Sequence, residues 1–600
     1  MSLKNFLIGS PLHTVQEKKE RFTKLVGLAI LSSDALSSVA YATEEILMSL
    51  MVGGIALTHF SLPISLCISL LIVIVAISYY QTLIRYPQGG GAYSVSKANL
   101  GRNTSLVAGA SLLIDYTLTV TVSVTAGVAA LTSAIPFLFH HRILLCVLCT
   151  LILTIANLRG IRESGRLFCF PVYLFIVTVA ITIGLGLYYS FFTPEAEPST
   201  KSVLTSNWPL WILLRAFASG CVALTGIEAI ANGVQSFKPP EARNAGITLI
   251  WMATLLGVLF IGITYVAKHL GIIPVLHETV LSQVVAKTFG RGIMYYIIQA
   301  ATCLILLLAA NTAFAGFPKL TSIIAYDSYL PKQLTSRGDR LVFSNGIIIL
   351  ALFALILIFI FNGYTSPLIP LYTVGVFTAF TLSQAGMVKN WITTKTHGWM
   401  RGVFINGIGA LTTGVVLCIV AVTKFIHGAW IVLLAAPLIV YLMRKIHSYY
   451  SRVQNQIALK NGDTIPHYTK NRALVPISGV IKTSMNAIAY AQLITKNIDA
   501  LYIALDPNDG KKIQKEWAIW HPEIPLKILE SPTRSLIQPL LKYIEDIQDQ
   551  EEMITVIIPA LVPTRWWHQL LHNQISILLR MLLLFKPKVV TITVPLRIEE

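Results

Sequence analysis

Leu31-Ser32-Ser33-Asp34-Ala35-Leu36-Ser37-Ser38-Val39-Ala40-Tyr41-Ala42-Thr43-Glu44-Glu45 lies inside the first apolar stretch of the chain, and its reading decides the fold. The stretch as a whole is long enough to span a bilayer, yet four serines surround an aspartate at its middle. Serine side chains compete for backbone hydrogen bonds and weaken a helix. An acid at the bilayer centre costs at least ~2.5 kcal/mol on insertion scales, so a chain keeps one there only where it faces a cavity, a partner or an ion. A second acid, Glu228, follows Gly226 in another apolar stretch, where Gly220 and Gly226 bracket Cys221 to Thr225. Interrupted helices at corresponding positions of two halves mark a transporter's binding site, because unwound carbonyls and half-helix ends can hold an ion there. Close packing of small residues would account for the glycines alone; it leaves Asp34 and Glu228 unexplained.

The composition fits this setting. Of 600 residues, 54% are hydrophobic and 12% charged, with a mean hydropathy of +0.68. A helix needs roughly 20 apolar residues to cross hydrocarbon about 30 Å thick. About twelve such stretches precede residue 445, at 24–52, 62–85, 104–136, 143–158, 167–191, 208–235, 244–267, 292–317, 343–361, 367–388, 402–423 and 426–443. They are apolar nearly all round, as lipid-embedded helices are. The net charge of +18 could suggest nucleic acid, but the basic residues collect in alternate loops: Lys18, Lys19, Arg21 and Lys24; Lys97 and Arg102; Arg159, Arg162 and Arg166; Lys238 and Arg243; Lys332, Arg337 and Arg340; Lys389 and Lys395. The positive-inside rule puts those loops and both termini in the cytosol, with the bilayer as partner and no role for nucleic acid. One connection departs from the rule: Lys268, His277, Glu278, Lys287 and Arg291 follow the seventh stretch and are expected to fold back as an external lid. The first stretch is too long for a signal-peptide core, so it is expected to stay in the mature protein. All seven cysteines lie in apolar stretches, which argues against disulfides. Cys146 and Cys149 lack the second ligand pair a zinc site would need.

The expected organisation is a cytosolic segment at 1–23, a transmembrane domain at 24–445, a linker at 446–470 and a cytosolic domain at 471–600. In the last, strands at Ala473–Ile477, Ala500–Leu505, Leu526–Leu529, Ile554–Ile558 and Val589–Val594 alternate with helices at Thr483–Lys496, Lys511–Trp520, Ser535–Gln548 and Arg565–Leu584. That alternation implies βαβ units and a small parallel sheet, and it resembles universal stress proteins. No glycine follows Gly510, so neither a P-loop nor a dinucleotide fingerprint can be drawn beyond it. A regulatory or dimerising tail is expected rather than an enzyme. Trp566, Trp567 and the apolar run Ile577–Phe585 are read as packing on the sheet, with a dimer surface as the alternative.

The third stretch carries Asp115, Tyr116, Thr119 and Ser123; the last three are spaced by three and four, hence on one helix side. Hydroxyl oxygens there suit a partly dehydrated monovalent cation. The segment Leu31–Glu45, the loop Pro87-Gln88-Gly89-Gly90-Gly91-Ala92-Tyr93-Ser94-Val95-Ser96, Ile114-Asp115-Tyr116, Thr225-Gly226-Ile227-Glu228-Ala229 and Pro370-Leu371-Tyr372 resemble KimA-type potassium importers of the amino acid, polyamine and organocation superfamily, related to Kup. The resemblance implies a leucine-transporter-type 5+5 inverted repeat, a homodimer joined partly by the tail, location in the bacterial cytoplasmic membrane, and potassium uptake coupled to protons, with no cofactor. It implies Tyr41, Tyr116, Thr119, Thr225 and Tyr372 as the potassium site, and Asp34, Glu228 and Asp115 as charge-balancing or proton-coupling groups. Related importers answer to cyclic di-AMP, which the resemblance suggests as a ligand of the tail, although no residue of the tail reads as its site. Glu228 is expected to be the more titratable acid, because serines around Asp34 could stabilise its ionised form. Glu44 and Glu45, about two to three turns further along toward the outer face, are read either as vestibule or interfacial groups or as groups with a role in binding. An amino-acid or polyamine permease is the alternative, but an amino-acid carboxylate would meet Asp34, anion against anion. No HExxH, paired-aspartate or nucleophile motif marks an enzyme.

Overall fold

The computed structural model of the chain describes residues 21–89, 91–160, 165–192, 209–275, 277–338, 340–458, 467–504, 507–520, 523–531, 535–562 and 575–597. The chain divides into two compact units, Met1–Ile457 and Ala458–Glu600.

In the first unit the opening stretch is three short helices in a row, α1 (Lys24–Leu31), α2 (Ser33–Ser37) and α3 (Val39–Met51). Then come α4 (Ser61–Arg85), α5 (Ala92–Asn99), α6 (Arg102–Ala134), α7 (Arg142–Leu158) and α8 (Gly165–Phe192). The sixth stretch is broken again, into α9 (Pro209–Gly220) and α10 (Glu228–Asn232). The unit finishes with α11 (Glu241–His269), α12 (Val280–Phe289), α13 (Ile293–Tyr326), α14 (Ser344–Ile360), α15 (Ile369–Thr394), α16 (Trp399–Thr423) and α17 (Trp430–Ile457). Among the described residues, ten helices are long and apolar enough to cross a membrane. The two remaining stretches of the expected set are the fragmented α1–α3 and α14, whose 17 residues fall just short. α17 runs on to Ile457, so the segment expected as linker from 446 begins as helix.

Burial separates two kinds of helix. α6 and α15 are buried along most of their length, whereas α7 and α17 bury few of their residues. The polar, threonine-rich α6 thus sits in the middle, away from lipid. Its Thr117, Thr119 and Thr121 hydroxyls donate at 2.9 Å to the carbonyls of Leu113, Asp115 and Thr117, one turn back. Those bonds satisfy the hydroxyls within the helix and let it pack in an apolar interior.

The second unit is a five-stranded parallel sheet in the order β3-β2-β1-β4-β5. Its strands are β1 (Asn471–Ile477), β2 (Ile498–Ala504), β3 (Leu526–Glu530), β4 (Met553–Val562) and β5 (Val589–Arg597). Between them lie α18 (Lys482–Ile494), α19 (Pro507–Trp520), α20 (Gln538–Gln548) and α21 (Ile575–Leu583). Strand side chains alternate between faces: Ala473, Val475 and Ile477 meet Ala487, Ile488 and Trp517, while Leu474, Val556 and Ile558 meet Leu540, Ile544 and Leu579. The expected packing of the last helix holds for Leu579 and Leu583 alone; Ile577, Leu578, Met581, Leu584 and Phe585 are exposed. Trp566 and Trp567 lie outside the described residues.

Candidate functional site between the two broken helices

The first break is made by four serines; three turn their hydroxyls to the backbone, and Ser32 Oγ has no hydrogen-bond partner among the described residues. Ser32 (φ −107°, ψ −1°) separates α1 from α2, and Ser38 (φ −64°, ψ −20°) separates α2 from α3. Ser33 Oγ donates to the Ile30 carbonyl at 3.3 Å, Ser37 Oγ to Asp34 O at 2.8 Å and Ser38 Oγ to Ala35 O at 2.6 Å. These donors serve main-chain oxygens left over where the ladder is interrupted. The carboxylate of Asp34 receives none of them, so the expected ranking of Glu228 above Asp34 loses its basis.

The second break is built on a glycine. After α9 the chain makes a tight turn at Cys221–Leu224, extends at Thr225 (φ −63°, ψ 149°), and passes through Gly226 at φ +79°. A Cβ on Gly226 would lie 2.7 Å from the Ala35 nitrogen and 2.7 Å from Asp34 Oδ2. Conformation and space both demand glycine here. The two breaks therefore touch, and Ser38 Oγ crosses between them to the Ala223 carbonyl at 3.3 Å.

Three acids surround this contact. Asp34, Asp115 and Glu228 are 5%, 6% and 4% exposed. One oxygen of Asp34, one of Asp115 and both of Glu228 lack a hydrogen bond of good geometry among the described residues, although Asn232 lies near enough to act on the Glu228 carboxylate. Their charges act on one another, and none of the ion pairs among the described residues includes them. No such pair joins Arg215 to either acid of the breaks. Unpaired buried carboxylates of this kind are costly unless a cation or proton compensates them.

Hydroxyls complete the surroundings. Thr119 Oγ1 lies 2.9 Å from the Tyr372 hydroxyl, and Asn232 Nδ2 donates to the Tyr116 hydroxyl at 3.0 Å. The Tyr41 hydroxyl has no hydrogen-bond partner, although Thr225, Asp34 and Asp115 are near enough to act on it. Asp34, Asp115 and Tyr41 act likewise on Tyr372. Thr225 Oγ1 itself donates to Val222 O at 2.9 Å. The expected residues Tyr41, Tyr116, Thr119, Thr225 and Tyr372 thus gather with the three acids. Two glycines permit it: Gly316 underlies the Tyr116 ring, and Gly375 brings α15 to within 3.2 Å of the Ser111 carbonyl, measured from an added Cβ.

Three neighbours escape a reading of the sequence. Tyr79 is fully buried with an unpartnered hydroxyl and feels the charges of Glu228 and Asp115. Ser383 Oγ, near it, is also unpartnered. Nothing in an apolar helix singles these out. Asn232 could have been found, since it follows Glu228 by one helical turn.

Both ends of the broken pair are fastened. At the Lys24 end, Phe22 N–H donates to Ser236 O at 2.6 Å and Lys238 N–H to Phe22 O at 2.9 Å, with Arg21 paired to Glu241 at 2.6 Å. At the Met51 end, the connection after α11 folds back as α12: Val280 N–H donates to Glu44 Oε2 at 3.0 Å, and Thr279 N–H donates to Ser133 Oγ at 3.0 Å. Among the described residues no three histidines, cysteines or carboxylates converge as a metal chelate.

The amino acid permease family matches residues 25–443, and the KimA potassium transporter C-terminal domain matches residues 469–596. Potassium transporter KimA of Bacillus subtilis (strain 168) is 43% identical over 602 residues, covering 99% of each chain. The low-affinity putrescine importer PlaP of Escherichia coli (strain K12) is 22% identical over 365 residues, covering 57% of this chain and 77% of its own. The low affinity potassium transport system protein Kup of Pectobacterium atrosepticum is 19% identical over 524 residues, covering 80% of this chain and 81% of its own.

Proposed function

The chain belongs to the KimA potassium transporter family, and from that premise we propose that it imports potassium by proton-coupled symport and alternating access. It is a multi-pass membrane transporter and not an enzyme. The observation that carries the mechanism is the direct contact of two helix breaks at Gly226 and Asp34, with three buried acids around it that form no ion pair among the described residues. Tyr41, Tyr116, Thr119, Thr225 and Tyr372 supply oxygens to the ion, replacing part of its hydration shell. Asp34, Glu228 and Asp115 balance its charge. A buried carboxylate is driven towards its neutral form by desolvation and towards its charged form by a nearby cation. Binding of potassium and loss of a proton are therefore linked, and a carrier that returns protonated couples the two fluxes.

In this reading the broken α1–α3 and α14 cross the bilayer with the ten longer helices, arranged as two inverted repeats of five and two additional spans. Both termini face the cytosol, following the basic residues of alternate loops, and the membrane is the bacterial inner membrane. Residues 24–445 transport and the α/β unit at 471–600 regulates. Its strand order and all-parallel sheet suit the universal-stress-protein likeness, and the exposed apolar face of α21 suits a homodimer. Cyclic di-AMP is the regulator proposed for it.

The same acids would also attract an organic diamine, as the name of the putrescine relative suggests. Potassium is preferred because the likeness to the potassium transporter spans the membrane unit and the tail together. The test is rescue of a bacterium lacking its own potassium uptake at micromolar potassium, beside radiolabelled putrescine and amino-acid uptake in the same cells. Rescue that Asp34→Asn abolishes supports the proposal; putrescine uptake without rescue refutes it.

A further inference from the structure

On the Met51 side of the acids, the interior holds a cavity of about 30 Å³ whose lining includes Tyr41, Glu44, Glu45, Thr302, Thr365 and Ser366. One water takes up roughly 30 Å³ in the liquid, and a space of about 10–15 Å³ can just admit one. The cavity therefore suits one water-sized occupant and no organic molecule. Four alanines, Ala40, Ala126, Ala129 and Ala130, form the rest of most of its wall and keep the space open.

The polar groups of the lining all present oxygen. The Tyr41 hydroxyl, on a side chain 5% exposed, has no hydrogen-bond partner among the described residues; it borders this cavity as well as the acids described above. Ser366 Oγ lies 3.4 Å from the weak acceptor Met48 Sδ and near enough to Glu45 to hydrogen-bond its carboxylate. Glu45 is 6% exposed. Glu44 has one oxygen taken by the Val280 N–H at 3.0 Å.

Charge is what the cavity lacks. Glu44 and Glu45 act on each other, and Lys424 is the cation that acts on Glu45. The Lys424 ammonium is buried and bonded to Ser219 Oγ, which in turn meets Ser49 Oγ at 2.7 Å. Arg215 lies beyond it, acting on Lys424 and His427. With both carboxylates ionised, the two against the one ammonium leave a single negative charge in a desolvated place, which one further cation or a proton would neutralise.

We propose that this cavity is a second cation site, holding one largely dehydrated monovalent alkali ion between Glu44, Glu45 and the neighbouring hydroxyls. The proposal rests on the reading of the chain as a potassium importer. With the Met51 end outward, the ion waits there before passing Tyr41 to Asp34.

The test is equilibrium binding of radioactive rubidium, a potassium congener, to the purified full-length protein, read as ions per protomer and affinity. The wild type is expected to hold two classes of ion. Glu44→Gln and Glu45→Gln each bring the local charge to zero and should remove one class. Lys424→Met deepens the negative charge and should tighten that class at least tenfold, given Coulomb attraction at a few ångströms in a partly shielded interior. Glu45→Gln combined with Lys424→Met returns the charge to a single negative and should regain the ion lost in Glu45→Gln; it also removes Glu45 and Lys424 together, so that neither is left buried without the other. Two classes persisting unchanged in all four variants, or a single class in the wild type that Asp34→Asn removes, overturns the second site while sparing the first. Binding untouched by Asp34→Asn overturns the potassium site at the breaks instead.

Discussion

Replacing Gly226 by alanine tests the junction on which transport is proposed to depend. The new Cβ would sit 2.7 Å from the Ala35 nitrogen and from Asp34 Oδ2, and 2.8 Å from Asp34 Cβ, whereas ordinary contact begins at 3.4 Å. The two breaks would have to part by about 0.7 Å, and two of the obstructing atoms belong to the backbone or sit next to it. Holding alanine at φ +79° adds strain of about 1–2 kcal/mol. A displacement approaching 1 Å at a reacting or binding centre can cost about a hundredfold in rate, so potassium uptake into proteoliposomes should fall by one to two orders of magnitude. Gly257→Ala is the control, because its Cβ meets nothing within 4 Å; it should transport normally. Size-exclusion behaviour and membrane insertion of both variants should match the wild type, since the strain is local. A Gly226→Ala protein that transports at the wild-type rate with unchanged apparent affinity would show that the contact of the breaks is not needed, and the proposed mechanism would fail.

Three further outcomes follow from single side chains. Uptake by Glu228→Gln should lose its dependence on external pH, and a retained profile in uptake assays would remove Glu228 as the proton carrier. Tyr79→Phe deletes a buried hydroxyl that has no partner yet faces Glu228; if that hydroxyl serves the ion, apparent affinity for potassium should weaken about tenfold, from one lost hydrogen-bond-strength contact of ~1.5 kcal/mol to a charge, whereas unchanged transport kinetics would make Tyr79 a packing residue. In the tail, the Lys470 and Thr469 N–H groups donate to the Glu552 carboxylate and hold it below the usual carboxylate range. A depressed folded value stabilises above the unfolded value of about 4.3 and loses that contribution as pH falls through the folded one. Hydrogen exchange of β1 and β4 in the full-length protein should therefore be faster in Glu552→Gln than in the wild type at neutral pH, with the difference shrinking under acid; an equal difference at all pH values would refute the linkage.

Much of this architecture was legible because it rests on residues with few alternatives. Two glycines bracketing a short segment before a buried acid point to an interrupted helix, and Gly226 stands at φ +79°. The tail's strands were legible for the same reason, since their alternation of apolar faces matches the two sides of a sheet. What escaped was orientation. Four serines around Asp34 are compatible with hydroxyls turned to the carboxylate or to the backbone, and the choice depends on which acceptors the break leaves bare; the carbonyls of Ile30, Asp34 and Ala35 win. Glu44 is a similar case, because its partner, the Val280 N–H, lies more than two hundred residues away and exists only once α12 has folded back. The exposed half of α21 escaped too: an apolar run says that a surface must be covered, and does not say whether the sheet or a second chain covers it.

The orientation of those serines bears on mechanism. Had they donated to Asp34, its negative charge would be solvated by the protein itself and would need no ion. Three of them bond to main-chain oxygens instead and Ser32 Oγ bonds to nothing among the described residues, so Asp34 Oδ1 stays unsatisfied; oxygens of Glu228 and Asp115 are likewise without a partner there. Three acids left bare beside one another repel, and the resting protein can relieve that repulsion only by taking up cations or protons. On the proposed mechanism, a transporter gains from this arrangement what a well-solvated site could not give it, which is a binding site whose empty, charged form is too costly to cross between the two faces of the membrane.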